Sequence, residues 1–221
     1  MNKISTENNF SYLFFSLVTL LFSTALLKEA DSEWASVLLD IIIFFVFILS
    51  TFSVKSNRKW MWAIFILSFL HLSLLFTHRF ISLPVTEFLH LVILLFFFAG
   101  TFYTSFWQII TRKKIDKNMI IGSAVLYLLI GLVWTVIYLL LLMIYPDAFL
   151  GLEQIAWQEN YPRVAYYSFV TLTTLGYGDI APNNSIAQFF VYSEAISGVF
   201  FMALIVSSLV TARLVYRVDS R

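Results

Sequence analysis

The chain has 221 residues, 60% of them hydrophobic and 12% charged, with a mean hydropathy of +0.86. So apolar a composition excludes an ordinary soluble domain and implies an integral membrane protein. Cysteine is absent, which removes disulfides, thiolate metal sites and cysteine nucleophiles, and a formal net charge of +1 gives no electrostatic case for a nucleic-acid partner.

Long apolar runs separated by charge clusters predict six spanning helices, at about 10–27, 35–54, 60–77, 85–110, 119–145 and 186–211. Each is near or above the ~17 residues that crossing a bilayer requires. The first run follows Lys3 and is similar to a secretory signal, whose removal would leave five spans. Its length, Glu7 in the basic region and the lack of a clean small-x-small site before Asp31 favour retention.

In the second helix, Asp40 is expected to hydrogen-bond locally or across the bundle. His71 and His78 are seven apart and share a helix face, so with His90 they make a metal or haem protein conceivable. No flanking Cys or Glu completes a ligand set, and packing or hydrogen bonding is the expectation instead. The fourth helix is no voltage sensor. One charge crossing the membrane field gains only ~2.3 kcal/mol per 100 mV, so sensing needs several. Between Arg79 and Arg112 there is no arginine or lysine; Glu87 and His90 are the only acid and imidazole there.

After the fifth run, residues 163–173 are apolar but too short to span. Asn160 and Pro162 predict a helix starting near Pro162, where proline fits a first turn. A re-entrant helix followed by an irregular loop is the natural reading, because non-helical backbone at membrane depth survives only against protein or water. Basic residues test the topology independently. Lys55, Arg58 and Lys59, then Arg112, Lys113, Lys114 and Lys117, then Arg213, Arg217 and Arg221 all fall on one face, which the positive-inside rule makes cytoplasmic. Glu29, Asp31, Glu33, Asp147, Glu153 and Glu159 fall on the other, with Lys28, Arg79 and Arg163. Trp34, Trp60, Trp62, Trp107 and Trp157 lie near predicted helix ends, as an aromatic belt requires, whereas Trp134 is mid-helix and expected to pack.

The most specific signal is Thr173-Thr174-Leu175-Gly176-Tyr177-Gly178-Asp179. Glycine accepts positive φ without a Cβ clash, so Gly176 and Gly178 allow consecutive carbonyls to turn to one side. The Thr174 hydroxyl can add an oxygen ligand, and Tyr177 can brace the loop against aromatic neighbours. The segment resembles the potassium-channel signature T-x-G-Y-G-D, and Tyr161 to Asp179 resembles the pore loop of small bacterial potassium channels. That likeness extends over about 115–215, including Lys114-Ile115-Asp116 before helix five and Glu194-Ala195-x-x-Gly198 in helix six.

The resemblance implies an all-α membrane fold: six transmembrane helices with a re-entrant pore helix and filter loop. The basic segment 111–118 marks the expected boundary between a peripheral four-helix domain over 1–112 and a pore domain over 113–221. The resemblance also implies potassium ions held by carbonyls of Thr174, Leu175, Gly176 and Tyr177, with Gly178 closing the outer turn, as filters built from rings of carbonyls require. One chain supplies one loop, so a homotetramer is expected. Leu175 stands where relatives often have valine, and Val170 where some have a glutamate that pairs with the filter aspartate. Thr173 is expected to support the filter, and Asp179 to hydrogen-bond behind it or draw cations to the mouth. Tyr166 and Tyr167, at the positions of a tryptophan pair in many relatives, are expected to form an aromatic cuff around Tyr177.

Glu194 lies about eight residues into helix six, roughly 12 Å along it. Facing lipid it would cost about 2.5–3.5 kcal/mol, so a role behind the filter is favoured over a pore-lining acid. Gly198 is either a hinge or a site of close helix packing. Ser207, Ser208 and Thr211 either face the inner cavity or bond their own helix. No cofactor is expected beyond the transported K+, and the partners expected are the lipid bilayer and an unknown regulator. The location expected is a bacterial inner membrane with both termini cytoplasmic. Two other readings stay open: a weakly selective cation channel, and a non-conducting subunit or haem-metal protein. No P-loop, H-E-x-x-H or G-x-S-x-G pattern occurs, so no enzyme is expected.

Overall fold

The computed structural model describes residues 9–29, 35–53, 58–80, 84–111 and 117–219. Outside this set, at least in their side chains, lie Lys28, Glu29, Asp31, Glu33, Trp34, Lys55, Arg58, His78, Arg79, residues 112–116, Ser208, Thr211 and the last three arginines. The basic faces and the question of a cleaved leader therefore fall mostly outside it.

The described chain is mostly helical: α1 (Asn9–Glu29), α2 (Ala35–Ser53), α3 (Arg58–Phe80), α4 (Pro84–Ile110), α5 (Lys117–Ile144), α6 (Trp157–Leu172) and α7 (Ser185–Asp219). Three of the helices are long and apolar enough to cross a membrane, at Val85–Ile110, Lys117–Ile144 and Ser185–Ile205. Shorter apolar segments run over Phe10–Leu26, Val37–Thr51 and Lys59–Leu74. The all-α expectation needs one amendment, since Phe149–Leu150 (β1) pairs antiparallel with Ala181–Pro182 (β2).

Apolar packing accounts for the bundle. Phe10, Leu13, Leu17 and Leu20 from α1, Ile43 and Phe47 from α2, and Leu91, Leu94 and Phe97 from α4 are buried in one continuous core with α5. Several hydroxyls in the bundle bond their own helix backbone: Ser16 donates to the Leu13 carbonyl, Ser50 to Phe47 and Ser68 to Ile64. The Phe10 amide, in the first turn of α1, donates to Asn118 Oδ1 at the start of α5. This ties the two helices with a bond that an open helix end otherwise lacks.

Helix α6 begins at Trp157, five residues before the expected start at Pro162. Ala156 precedes it without a side-chain cap, and the Glu159 and Asn160 amides donate to the Ala156 carbonyl. Asn160 is not the cap; its amide nitrogen donates to the Glu153 carbonyl at 2.7 Å. Pro162 sits inside the helix and forgoes a single intrahelical bond. By contrast α7 starts with a true cap, the Asn184 Oδ1 accepting from the Ala187 amide at 2.8 Å.

Candidate pore loop and its support

The loop after α6 alternates in backbone hand. Thr174 (φ 59°), Gly176 (φ 58°) and Gly178 (φ 82°) lie in the left-handed region. The two glycines fit the expectation; Thr174 does not, because a β-branched residue with positive φ is an outlier that needs a specific reason. The reason is visible in the amides. Thr173 donates to Phe169, Thr174 to Thr171, and both Leu175 and Gly176 to the Val170 carbonyl. The loop's N–H groups thus cover the open C-terminal carbonyls of α6. Among the described residues, no backbone amide donates to the carbonyls of 174–177, and residues 173–179 are all exposed on the single chain.

Around this loop, each expected residue has a defined place. The Thr173 hydroxyl donates to the Phe169 carbonyl at 2.7 Å and turns back into the helix. Tyr177 stacks on Tyr166, with ring centroids 6.4 Å apart and planes within 9°, and the Asp179 carboxylate meets the Tyr166 hydroxyl. Tyr167 corrects the idea of a paired cuff within one chain. Consecutive helical residues point about 100° apart, so Tyr167 turns away from the loop and packs against Tyr138 (5.4 Å) and Phe149 (5.5 Å). Val170 points no carboxylate at Asp179, but its carbonyl carries two loop amides.

Behind α6, Glu194 is fully buried. Tyr138 of α5 donates to its Oε2, and Ser168 of α6 donates to its Oε1. The Ser168 oxygen also lies 2.8 Å from the Gly131 carbonyl of α5. One carboxyl group therefore joins the three helices that carry the loop. No basic side chain among the described residues meets it. Trp134 belongs to the same layer, its indole N–H reaching Ser197 Oγ at 3.3 Å.

Gly198 packs directly against the end of α6. A Cβ there would fall well inside van der Waals distance of the Leu172 carbonyl oxygen, which also accepts from the Tyr127 hydroxyl at 3.4 Å. Close approach is what the structure shows at this glycine. Ser207 is exposed.

Residues unforeseen from the sequence brace the loop's far end. Gly151 (φ 84°) lies so close to the Asp179 carbonyl that a Cβ would overlap it. Arg163 donates to the Gly151 carbonyl at 2.6 Å, and the β1–β2 pair closes the same corner with the Asn183 amide on Ala148 (2.8 Å). A lone glycine between β1 and a polar stretch was the one signal for this clamp. Ser168 and Tyr138 carried none, since their partner lies 26 and 56 positions away.

A family model described as ion channel matches residues 123–213. This stretch is similar to an ion-channel segment. It takes in most of α5, all of α6, the loop and most of α7, within the 115–215 that the resemblance covered. The match indicates an ion-transporting membrane protein rather than an enzyme. No curated protein and no solved structure matches the chain.

Proposed function

We propose that the chain is a potassium-selective channel that conducts K+ passively through a homotetrameric pore and lacks strong voltage gating. The observation that carries this is the alternation of left-handed residues at 174, 176 and 178, with the loop amides engaged by α6 and the carbonyls of Thr174, Leu175, Gly176 and Tyr177 uncommitted. A backbone of alternating hand can aim successive carbonyls to one side, and four such loops make a stack of oxygen rings that replaces an ion's water. Gly178 continues the alternation at the outer end. The C-terminus of α6 contributes its negative dipole end at the base of the loop.

Two features support assembly around the loop. Residues 173–179 are exposed on one chain. Phe189, Tyr192, Ile196 and Val199 on α7 are exposed too, at a spacing of three and four that makes a single apolar stripe. Glu194 points to the opposite side of that helix. A fourfold ring buries the stripe and completes the filter, in keeping with the closed symmetry of oligomers. Within it we assign α1–α5 and α7 as six spans, 1–112 as a peripheral domain and 113–221 as the pore domain, with the filter facing outward and both termini cytoplasmic.

Rubidium uptake into liposomes loaded with potassium tests the reading. It predicts uptake that an equal sodium gradient does not support. Equal uptake of both ions would instead assign a weakly selective cation channel.

A further inference from the structure

Among the described residues, buried polar groups of α2, α3 and α4 gather against the start of the pore helix. Asp40 on α2, His71 on α3 and His90 on α4 are 5%, 0% and 1% exposed, in a bundle whose other core side chains are mainly apolar. They form a chain from bundle to pore. The Asp40 carboxylate lies near the Gln158 side chain in the first turn of α6, and the Asp40 backbone lies near the His71 ring, whose two nitrogens have no hydrogen-bond partner among the described residues. The His71 and His90 rings lie 5.1 Å apart, and His90 Nε2 is 3.3 Å from the His71 carbonyl oxygen. Beyond it, the His90 ring meets the Trp157 indole edge at 6.2 Å, again in the first turn of α6. Phe47 stacks on His71 at 5.6 Å and closes the bundle side.

Ionisable groups are costly inside a membrane and by default mark function. A metal centre does not fit: among the described residues, no three His, Asp or Glu side chains converge well enough to hold an ion. Water can approach instead. A cavity of about 320 Å³ is lined by Glu87, Glu153, Trp157 and Asn160. Glu87 is one turn from His90 on α4, and Trp157 belongs both to the cavity wall and to the His90 contact. Trp157 Nε1 and Asn160 Oδ1 are buried there without a protein partner, and so offer one donor and one acceptor to water.

We infer that Asp40, His71 and His90 are a proton-binding site through which the peripheral bundle acts on the pore helix. Imidazole is the side chain whose charge changes between about pH 5 and 8. Two rings this close take up one proton before they take up two, because a second positive charge is repelled. Among the described residues, the groups that face the site are Asp40 from α2, Glu87 from α4, Glu153 from the segment before α6, and the neutral Gln158 and Trp157 from α6. Helix α5 carries no acid, lysine, arginine or histidine after Lys117, and α1 none between 10 and 26. Among the described residues, Asp40 beside the rings and Glu87 and Glu153 in the cavity wall answer the new charge. Asp40 turns to the imidazolium, Gln158 loses its partner, and the first turn of α6 loosens, so acid lowers conduction.

The flux arm of the test rests on the conduction reading; the spectroscopic arm does not. In liposomes holding the intact 221-residue chain, rubidium uptake should fall at least about threefold between external pH 8 and 5. In His71→Gln and His90→Gln chains the fall should flatten, with uptake at pH 8 retained, while His78→Gln keeps the wild-type profile. Independently, imidazole ¹⁵N shifts of the three histidines should show one proton entering the His71–His90 pair in that range. Both rings staying neutral throughout, or a pH profile that survives in both glutamine variants, overturns the proposal. If no chain conducts but the pair still titrates, the proton site stands and the conduction reading fails.

Discussion

The two halves of this molecule differ in where their hydroxyl groups reach. In the bundle of α1–α4, hydroxyls such as those of Ser16, Ser50 and Ser68 bond their own helix and tie no element to another. In the segment α5–α7, polar groups cross between elements: Tyr138 and Ser168 to Glu194, Trp134 to Ser197, Tyr127 to the Leu172 carbonyl. Apolar packing suffices to hold helices side by side. Fixing a loop of alternating backbone hand takes directional bonds from every side.

That contrast predicts a graded series of effects. The largest belongs to Gly176→Ala. Open space surrounds this glycine within the chain, so the penalty comes from φ 58°; the left-handed conformation costs an L-residue about 1–2 kcal/mol. In the proposed tetramer four copies multiply that cost, and selective rubidium uptake should vanish while assembly, read by cross-linking, persists.

Next comes Glu194→Ala. It strips the acceptor from the buried Tyr138 hydroxyl at about 1–3 kcal/mol, leaves Ser168 only the Gly131 carbonyl and opens a cavity, so thermal unfolding of the purified protein should shift sharply downward. Glu194→Gln keeps an acceptor for Tyr138 and a donor for Ser168 and should recover most of the loss. An equal loss in both variants would show that the carboxylate charge, rather than the hydrogen-bonded bridge, holds the three helices.

Gly198→Ala forces α7 away from the Leu172 carbonyl and should cost about 1–3 kcal/mol, the usual range for overpacking, with reduced uptake. An unchanged variant would mean that the close approach is dispensable. Tyr166→Phe keeps the stack on Tyr177 and removes the hydroxyl at Asp179; shorter open bursts in single-channel records are the expected sign. Smallest of all, Ser68→Ala should stay within about 0.5 kcal/mol of wild type in thermal unfolding. A large effect there would erase the distinction between the halves.

How much could be read beforehand follows the same division. Helices α1 to α5 and α7 stand in the sequence because apolar runs are interrupted by charge, although among the described residues only those of α4, α5 and α7 reach spanning length. The loop stands there because Gly176 and Gly178 do what few residues can. The start of α6 was misread for a physical reason: Ala156 gives no capping side chain, while Asn160 and Pro162 imitate the signals of a helix beginning four to five residues late. Thr174 hides its positive φ because the amide contacts with α6 impose it against local preference. The partners of Glu194 and the opposite directions of Tyr166 and Tyr167 depend on how three helices meet, which no local pattern encodes. Gly151 acts only because the chain returns to it at Asp179.

The central claim is that the main-chain oxygens of Thr174 to Tyr177 select potassium. Its most direct test is the reversal potential of single channels, reconstituted from purified protein, with potassium on one side of a bilayer and sodium on the other. The account predicts reversal displaced far toward the potassium equilibrium potential, and loss of that current with Gly176→Ala. Reversal near zero, or unchanged selective current in the variant, would contradict it.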